Sequence, residues 1–221
     1  VYSNETLKLK GVEISKEEEK SAMLAILLHD VGHGPFSHAL ENMLMDDWHH
    51  EKLSLLLMNK MNEEFGGELS MAMEMFQGKY HRKFFNQLIS SQLDVDRLDY
   101  LKRDSFYTGV SEGNVNTQRI ISMMNVSDEE LVIDAKGIYS IENFLTARMF
   151  MYWQVYYHKT SALAEHLLVK ILDRAKLLTS QGIDLPASEN LKYFLHKNNF
   201  ESATAEDIQR FTELDDSDVI Q

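Results

Sequence analysis

Apolar residues recur every three or four positions along most of the chain, which predicts a largely helical protein. The first clear helix follows Ser15, which together with Glu18 has the form of a capping box, and its apolar stripe ends at Leu28. Two glycines then permit a turn, and Pro35 suits the first position of a following helix. Further helices are expected over residues 68–76, 81–90, 188–198 and 204–212.

Two later segments refine this pattern. Residues 141–178 contain no glycine or proline and keep helical spacing, which predicts one long helix or two nearly continuous ones. Only residues 130–134 and 137–140 read convincingly as strands, flanking a short turn. The prediction is therefore an all-α fold with one small β-hairpin around 130–140. We expect a helical core over 1–178 and a helical C-terminal extension over 179–221, with both ends of the chain truncated.

Composition narrows the function. The net charge of −13 disfavours a non-specific nucleic-acid surface, but a local site for a small phosphorylated substrate is compatible with it. The chain has no cysteine, so disulfides and thiolate metal sites are excluded and a metal must use histidine and carboxylate ligands. No apolar run is long enough to predict a membrane span, and no signal peptide is evident. We expect a cytoplasmic protein.

The densest polar cluster lies where the first helical stripe ends. Residues 27–38 contain His29, Asp30, His33 and His38 around the two glycines. An imidazole nitrogen beside a carboxylate oxygen suits a divalent metal. A helix C-terminus with solvated histidines would explain any one of these residues, but it explains the whole cluster poorly.

A second polar group lies at residues 92–107. If this segment is helical, steps of three and four place four polar residues on one face, namely Asp96, Tyr100, Arg103 and Tyr107. A solvated charged helix would account for the acids and bases, but not for tyrosines interleaved with an aspartate. Within 141–178, Tyr157, His158 and Lys159 form another polar group that is denser than a core needs.

These segments together resemble the HD-domain phosphohydrolases, and within them the branch of deoxynucleoside triphosphate triphosphohydrolases. The resemblance rests on residues 27–38, on His50-Glu51, on residues 92–100 and on residues 152–160, in that order. It covers roughly residues 15–178 and implies the all-α HD fold, a divalent metal cofactor (Mn, Mg, Fe, Ni or Zn) and a nucleotide substrate.

The resemblance also implies a metal site. His29 and Asp30 match the family's ligand pair, and Asp96 matches its later aspartate. The family has one more histidine on an upstream helix, but no histidine precedes His29 in this chain. The chain begins at Val1 without a methionine, which favours a truncation just after the missing histidine. A site with three ligands is expected to hold its metal less tightly.

Catalytic and substrate-binding roles follow from the same resemblance. His50 is expected to donate the proton, with Glu41 or Glu51 orienting it, while His33 and His38 line the phosphate path. The implied contacts to triphosphate and sugar, together with the long-helix residues opposite them, are Arg97, Tyr100, Asp104, Tyr107, Gln154 and His158. Gln154 stands where the mammalian-type enzyme has an arginine, so one charged phosphate contact is absent.

The sequence therefore predicts a metal-dependent hydrolase that converts a deoxynucleoside triphosphate to deoxynucleoside and inorganic triphosphate. Two alternatives stay open. One is an HD phosphohydrolase acting on a nucleoside monophosphate or a (p)ppGpp-like nucleotide, and the other is a non-catalytic nucleotide-binding regulatory module. By analogy with the family, the protein is expected to form a homo-oligomer, a dimer or a tetramer.

Overall fold

The computed structural model describes residues 2–37, 49–197 and 204–220, and helices dominate all three ranges. The first six helices are α1 (Tyr2–Leu9), α2 (Lys16–Leu28), α3 (His50–Glu64), α4 (Ser70–Phe76), α5 (Lys83–Ile89) and α6 (Val95–Thr108). They are followed by α7 (Thr117–Met123), β1 (Met124–Ser127), β2 (Glu130–Ile133), α8 (Ile138–Met151), α9 (Lys159–Ser180), α10 (Glu189–His196), α11 (Ala205–Thr212) and α12 (Asp216–Ile220). Within these ranges, no helix combines the length and apolarity needed to cross a bilayer.

The capping residues explain where the helices begin. The Ser15 hydroxyl accepts the Glu18 amide at 3.1 Å and the Glu18 carboxylate accepts the Ser15 amide at 2.8 Å, which confirms the predicted capping box of α2. Thr204 and Asp207 form the equivalent box at α11. Helix α6 ends at Gly109, whose φ of 72° lies in the left-handed region that glycine adopts without strain.

The predicted hairpin exists, but it lies earlier in the chain than expected. Strand β2 covers the first predicted strand, and it pairs antiparallel with the upstream strand β1, from Met124 opposite Ile133 to Ser127 opposite Glu130. The predicted partner at 137–140 is wrong, because a 3₁₀ turn at Ala135–Gly137 leads directly into α8. Residues Asp128 and Glu129 turn the chain with φ values of 51° and 61°.

Two predictions about helix continuity have different outcomes. The long apolar segment forms two nearly continuous helices, α8 and α9, separated by a π-helical turn at Tyr152–Tyr156. Pro35 does not begin a helix, since residues 35 and 36 form a turn and Phe36 has a φ of 54°. The predicted helix through His38 and Glu41 lies outside the described residues.

The chain divides into two compact units. The first unit comprises Val1–His29 and Met61–Lys159, and its core is built on phenylalanines and long aliphatic side chains that are fully buried, among them Leu7, Met75, Phe84, Phe85, Leu101 and Phe144. The second comprises Asp30–Lys60 and Thr160–Gln221, with a core of Leu53, Leu191, Phe194, Leu195, Phe211 and Leu214. Both units are discontinuous in sequence, and the expected boundary at residue 178 stays a prediction.

A buried carboxylate organises the C-terminal helices of the second unit. Asp207 is fully buried, accepts the Tyr193 hydroxyl at 2.8 Å and the Thr204 amide at 2.7 Å, and forms an ion pair with Lys197. Burial alone would raise the pKa of Asp207, but the ion pair and these hydrogen bonds outweigh it and lower the pKa to about 2. The carboxylate therefore stays ionised in the core and joins α10 to α11.

Candidate metal and phosphate site

The imidazole of His29 is oriented by the helix that it ends. His29 is the C-cap of α2, and its Nδ1 lies 2.7 Å from the backbone oxygen of Ile26. A carbonyl oxygen only accepts hydrogen bonds, so Nδ1 carries the proton and Nε2 of the neutral ring keeps its lone pair. Such a backbone partner behind a histidine is the usual arrangement around metal-ligating histidines.

The Nε2 atom of His29 faces a carboxylate. Nε2 of His29 lies 3.9 Å from Oδ1 of Asp96, and both side chains are partly buried. Two donor atoms that each lie about 2.1 Å from one ion are at most about 4.2 Å apart, so this gap has the size that a shared ion bridges. Asp30 follows His29 directly in the chain. The donors are one nitrogen and carboxylate oxygens, which fits a divalent metal.

Asp96 is placed by the first turn of α6. Asp94, which is 1% exposed, caps this helix by accepting the Arg97 amide at 2.7 Å and the Ser91 amide at 3.0 Å. The Arg97 guanidinium forms an ion pair with the same Asp94, while its buried Nε has no hydrogen-bond partner among the described residues. An acidic residue in the first turn also interacts favourably with the helix dipole, which helps to hold Asp96 there.

Asp30, His33 and His50 come together in the second unit. Nε2 of His33 lies 3.7 Å from Oδ1 of Asp30, and the rings of His33 and His50 are stacked with centroids 4.1 Å apart and planes 16° from parallel. One ligand atom from each residue lies within 4.8 Å of the others. Imidazole lone pairs lie in the ring plane, so two nearly parallel rings do not converge on one ion. Two stacked imidazoles, each with a nitrogen that can donate a hydrogen bond, suit contact with a phosphate oxygen.

The predicted polar face of α6 is only partly assembled. Tyr100 packs edge-on against Tyr156 with centroids 6.0 Å apart, and burial raises the pKa of Tyr100 to about 12. Arg103 forms an exposed ion pair with Asp99. Tyr107 is 80% exposed and packs edge-on against Phe106.

Asp104 has a partner that the sequence did not reveal. The Tyr156 hydroxyl donates to Oδ2 of Asp104 at 2.6 Å, and burial followed by this bond raises the pKa of Tyr156. The π-helical turn at Tyr152–Tyr156 sets the direction of this side chain, and such turns are frequent at functional sites. The sequence shows only that Tyr152 and Tyr156 are four residues apart, and this spacing does not reveal the contact between Tyr156 and Asp104.

Arg148 is a residue to which the sequence assigned no role. Its guanidinium lies over the ring of Tyr152, 5.5 Å from the centroid, and Nη1 donates to Oε1 of Gln92 at 3.3 Å. These contacts place a cation beside the tyrosines of the first unit. Gln154 and His158, which were predicted to contact substrate, are both exposed.

The remaining predicted residues have less structural context. Glu51 is exposed beside His50 at the start of α3. His38 and Glu41 lie outside the described residues, so their expected roles stay predictions.

Known proteins match the chain over nearly its whole length. Residues 5–104 match the HD domain and residues 115–213 match the HD associated region. The uncharacterized protein YwfO of Bacillus subtilis is 38% identical over 77% of this chain and 40% of its own length. The deoxynucleoside triphosphate triphosphohydrolase SAMHD1 homolog of Dictyostelium discoideum is 30% identical over 74% of this chain and 35% of its own length. The chain thus spans less than half of these relatives.

Solved structures give the same result. A phosphohydrolase from Bacteroides thetaiotaomicron is 51% identical with a TM-score of 0.95, covering 99% of this chain and 55% of that one. A hypothetical protein from Aquifex aeolicus is 31% identical with a TM-score of 0.73, again over 99% of this chain and 54% of that one. With its HD domain followed by an HD associated region, the chain belongs to the HD-domain phosphohydrolase family.

Proposed function

We propose that this protein is a metal-dependent phosphohydrolase that cleaves deoxynucleoside triphosphates to deoxynucleoside and inorganic triphosphate. The observation that carries the proposal is the His29 imidazole, whose protonated Nδ1 is held by Ile26 and whose Nε2 faces Asp96 at 3.9 Å. Similarity to a triphosphohydrolase homolog at 30% identity supports the substrate class.

His29, Asp30 and Asp96 would hold the metal. The nitrogen and carboxylate donors fit a divalent ion, whose identity among Mn, Mg, Fe, Ni and Zn is open. When bound, the ion would bind a phosphate oxygen and stabilise the negative charge that develops there. The chain's own contribution is to fix the ring of His29 through the Ile26 carbonyl, so that the ligand needs no reorientation.

The stacked histidines supply the proton chemistry in this proposal. Water attacks the α-phosphorus, the bond between that phosphorus and the sugar 5′-oxygen breaks, and triphosphate leaves with the oxygen of water. The 5′-oxygen needs a proton, for which His50 is the proposed donor, because imidazole titrates near neutral pH. His33, stacked on His50 and 3.7 Å from Asp30, would contact the phosphate.

The sugar side of the proposed site is formed by α6 and the π-helical turn. Asp104, held by the Tyr156 hydroxyl, retains acceptor capacity for a sugar hydroxyl. Tyr100 packs against the same tyrosine and would exclude a 2′-hydroxyl sterically. The other proposed substrate contacts are Arg97, Tyr107, Gln154 and His158. As in the family, a homo-oligomeric assembly is part of this proposal.

The test is a product analysis with the full-length protein. Metal-free protein is loaded with Mn²⁺ or Mg²⁺ and incubated with each of the four deoxynucleoside triphosphates, and products are separated by anion exchange. We expect deoxynucleoside and inorganic triphosphate in equal amounts. If monophosphate and pyrophosphate form instead, the triphosphohydrolase reaction is refuted and the protein has another phosphohydrolase activity. Tight nucleotide binding without any product would favour the regulatory module.

Asp96→Ala is the decisive variant, with Asp99→Ala as its matched control one turn along α6. Asp99 is exposed and pairs only with Arg103 among the contacts described above. We expect Asp96→Ala to abolish turnover and to lower the metal content after dialysis, while Asp99→Ala retains both. Full metal content in Asp96→Ala would remove this residue from the ligand set.

A further inference from the structure

The turn that follows Asp30 is seated on the first turns of α3 through Gly32. The Gly32 amide donates to the Ser54 hydroxyl at 2.9 Å, and Ser54 is fully buried. A Cβ atom added to Gly32 would overlap the His50 carbonyl oxygen and the Ser54 amide and would lie 2.8 Å from the Leu53 carbonyl carbon. Because these neighbours are backbone atoms, glycine is the residue that permits this approach.

This contact joins the two backbone segments that carry the stacked histidines. Gly32 directly precedes His33, and His50 is the first residue of α3, one turn before Ser54. The Gly32–Ser54 hydrogen bond therefore joins the two backbone segments whose side chains form the stack with centroids 4.1 Å apart. The distance between the rings depends on how closely the turn is held to the helix.

We propose that Ser54 is a positioning residue, which holds the Asp30–His33 turn against α3 and thereby keeps the His33 and His50 rings stacked at the phosphate. The catalytic consequence rests on the proposed function, whereas the placement of the rings does not. Ser54 has no ionisable group and is one buried residue among the apolar side chains of α3, so the sequence alone gives it no role.

Removal of the Ser54 hydroxyl leaves the buried Gly32 amide without its acceptor. An unpaired amide in the interior is unfavourable, so the turn is expected to move away from α3 until water reaches it. A displacement of about 1 Å at catalytic groups costs up to about 100-fold in rate. We therefore expect kcat to fall about 10- to 100-fold in Ser54→Ala, with KM changed much less, since the stack acts on the leaving oxygen.

Ser105→Ala is the matched control. Ser105 is also a buried helical serine, and its hydroxyl donates to the Val110 carbonyl at 2.8 Å in the other unit. Both variants lose one buried hydrogen bond to backbone, so both should lower the melting temperature by a few degrees. Only Ser54→Ala should alter the histidine pair.

The direct measurement is made on the metal-free chain labelled at histidine. We expect NOE cross-peaks between the ring protons of His33 and His50 in the wild type and in Ser105→Ala, and their loss in Ser54→Ala. If Ser54→Ala does not fold, Ser54→Cys keeps nearly the same volume with a weaker acceptor, and the same loss is expected.

Three outcomes would overturn or separate the two proposals. Retained cross-peaks in the Ser54 variants would refute the positioning role, whatever the melting temperature. Lost cross-peaks with unchanged kcat would refute its catalytic consequence. If the wild type releases no triphosphate while the cross-peaks are lost in Ser54→Ala, the proposed function fails and Ser54 still positions the pair.

Discussion

The hydrogen bond between Tyr156 and Asp104 gives a prediction that links the fold of the first unit to substrate affinity. In Tyr156→Phe the ring remains, so its edge-on contacts with Tyr100 and Tyr152 are retained. The substitution removes only the Tyr156 hydroxyl, which in the wild type donates to Oδ2 of Asp104 at 2.6 Å. Burial and this bond both raise the pKa of Tyr156, so the phenol stays a neutral donor throughout the pH range of an assay.

The expected magnitude follows from the type of bond. A hydrogen bond to a charged group contributes about 1.5–3 kcal/mol, and partial exposure of this pair places it toward the lower end. The free energy of unfolding of Tyr156→Phe is therefore expected to fall by about 1–2 kcal/mol. If Asp104 binds a sugar hydroxyl only while it is oriented, a similar loss in binding raises KM about 5- to 30-fold.

The assay measures kcat and KM of the metal-loaded full-length protein for one deoxynucleoside triphosphate, alongside urea unfolding. We expect kcat to change less than KM, because in the proposed function Asp104 contacts the sugar and does not act on the leaving oxygen. Tyr139→Phe is the matched control, since Tyr139 is 79% exposed at the start of α8, and both quantities should match the wild type.

A clear result would contradict this reasoning. If Tyr156→Phe loses stability but keeps the wild-type KM, the hydroxyl stabilises the fold and does not orient a substrate contact. If KM rises while Tyr139→Phe shows the same rise, the effect is not specific to the Asp104 bond.

Two further predictions concern stability and the turn. The pKa of Asp207 is lowered to about 2, so the ionised side chain stabilises the fold above the unfolded pKa near 3.8, and this stabilisation is lost as the pH falls toward 2. At neutral pH the free energy of unfolding of Asp207→Asn should be lower than that of the wild type by about 2 kcal/mol. In urea titrations this difference should narrow as the pH falls from 3.8 toward 2. A gap independent of pH between 5 and 2 would contradict the assigned pKa. Gly32→Ala should lower the free energy of unfolding by about 1–3 kcal/mol, because the added methyl group overlaps the α3 backbone, and it should also reduce kcat. Gly113→Ala is the control, since its added methyl group meets the flexible Met151 side chain, and it should affect only stability. Equal loss of kcat in both glycine variants would refute a specific role for the turn.

Local sequence signals predicted most of the helices and failed where neighbours decide. The Ser15 box fixed the start of α2, because it satisfies amides within four consecutive residues. The second hairpin strand was misplaced, since the segment after Asp134 enters a 3₁₀ turn and the true partner of β2 lies upstream. Pairing is a tertiary choice, and two short segments of similar pattern compete for it.

The sequence by itself indicated the candidate chemistry: His29 and Asp30 at the end of an apolar helix, no thiolates, and aspartates interleaved with tyrosines in a predicted helix at residues 92–107. These features depend on residue type and spacing, which are local. Only the tertiary structure decided that His29 presents Nε2 to Asp96, that His33 stacks on His50, and that Ser54 holds the turn between them. Those contacts join residues up to 67 positions apart, and their geometry depends on how helices pack rather than on any short pattern.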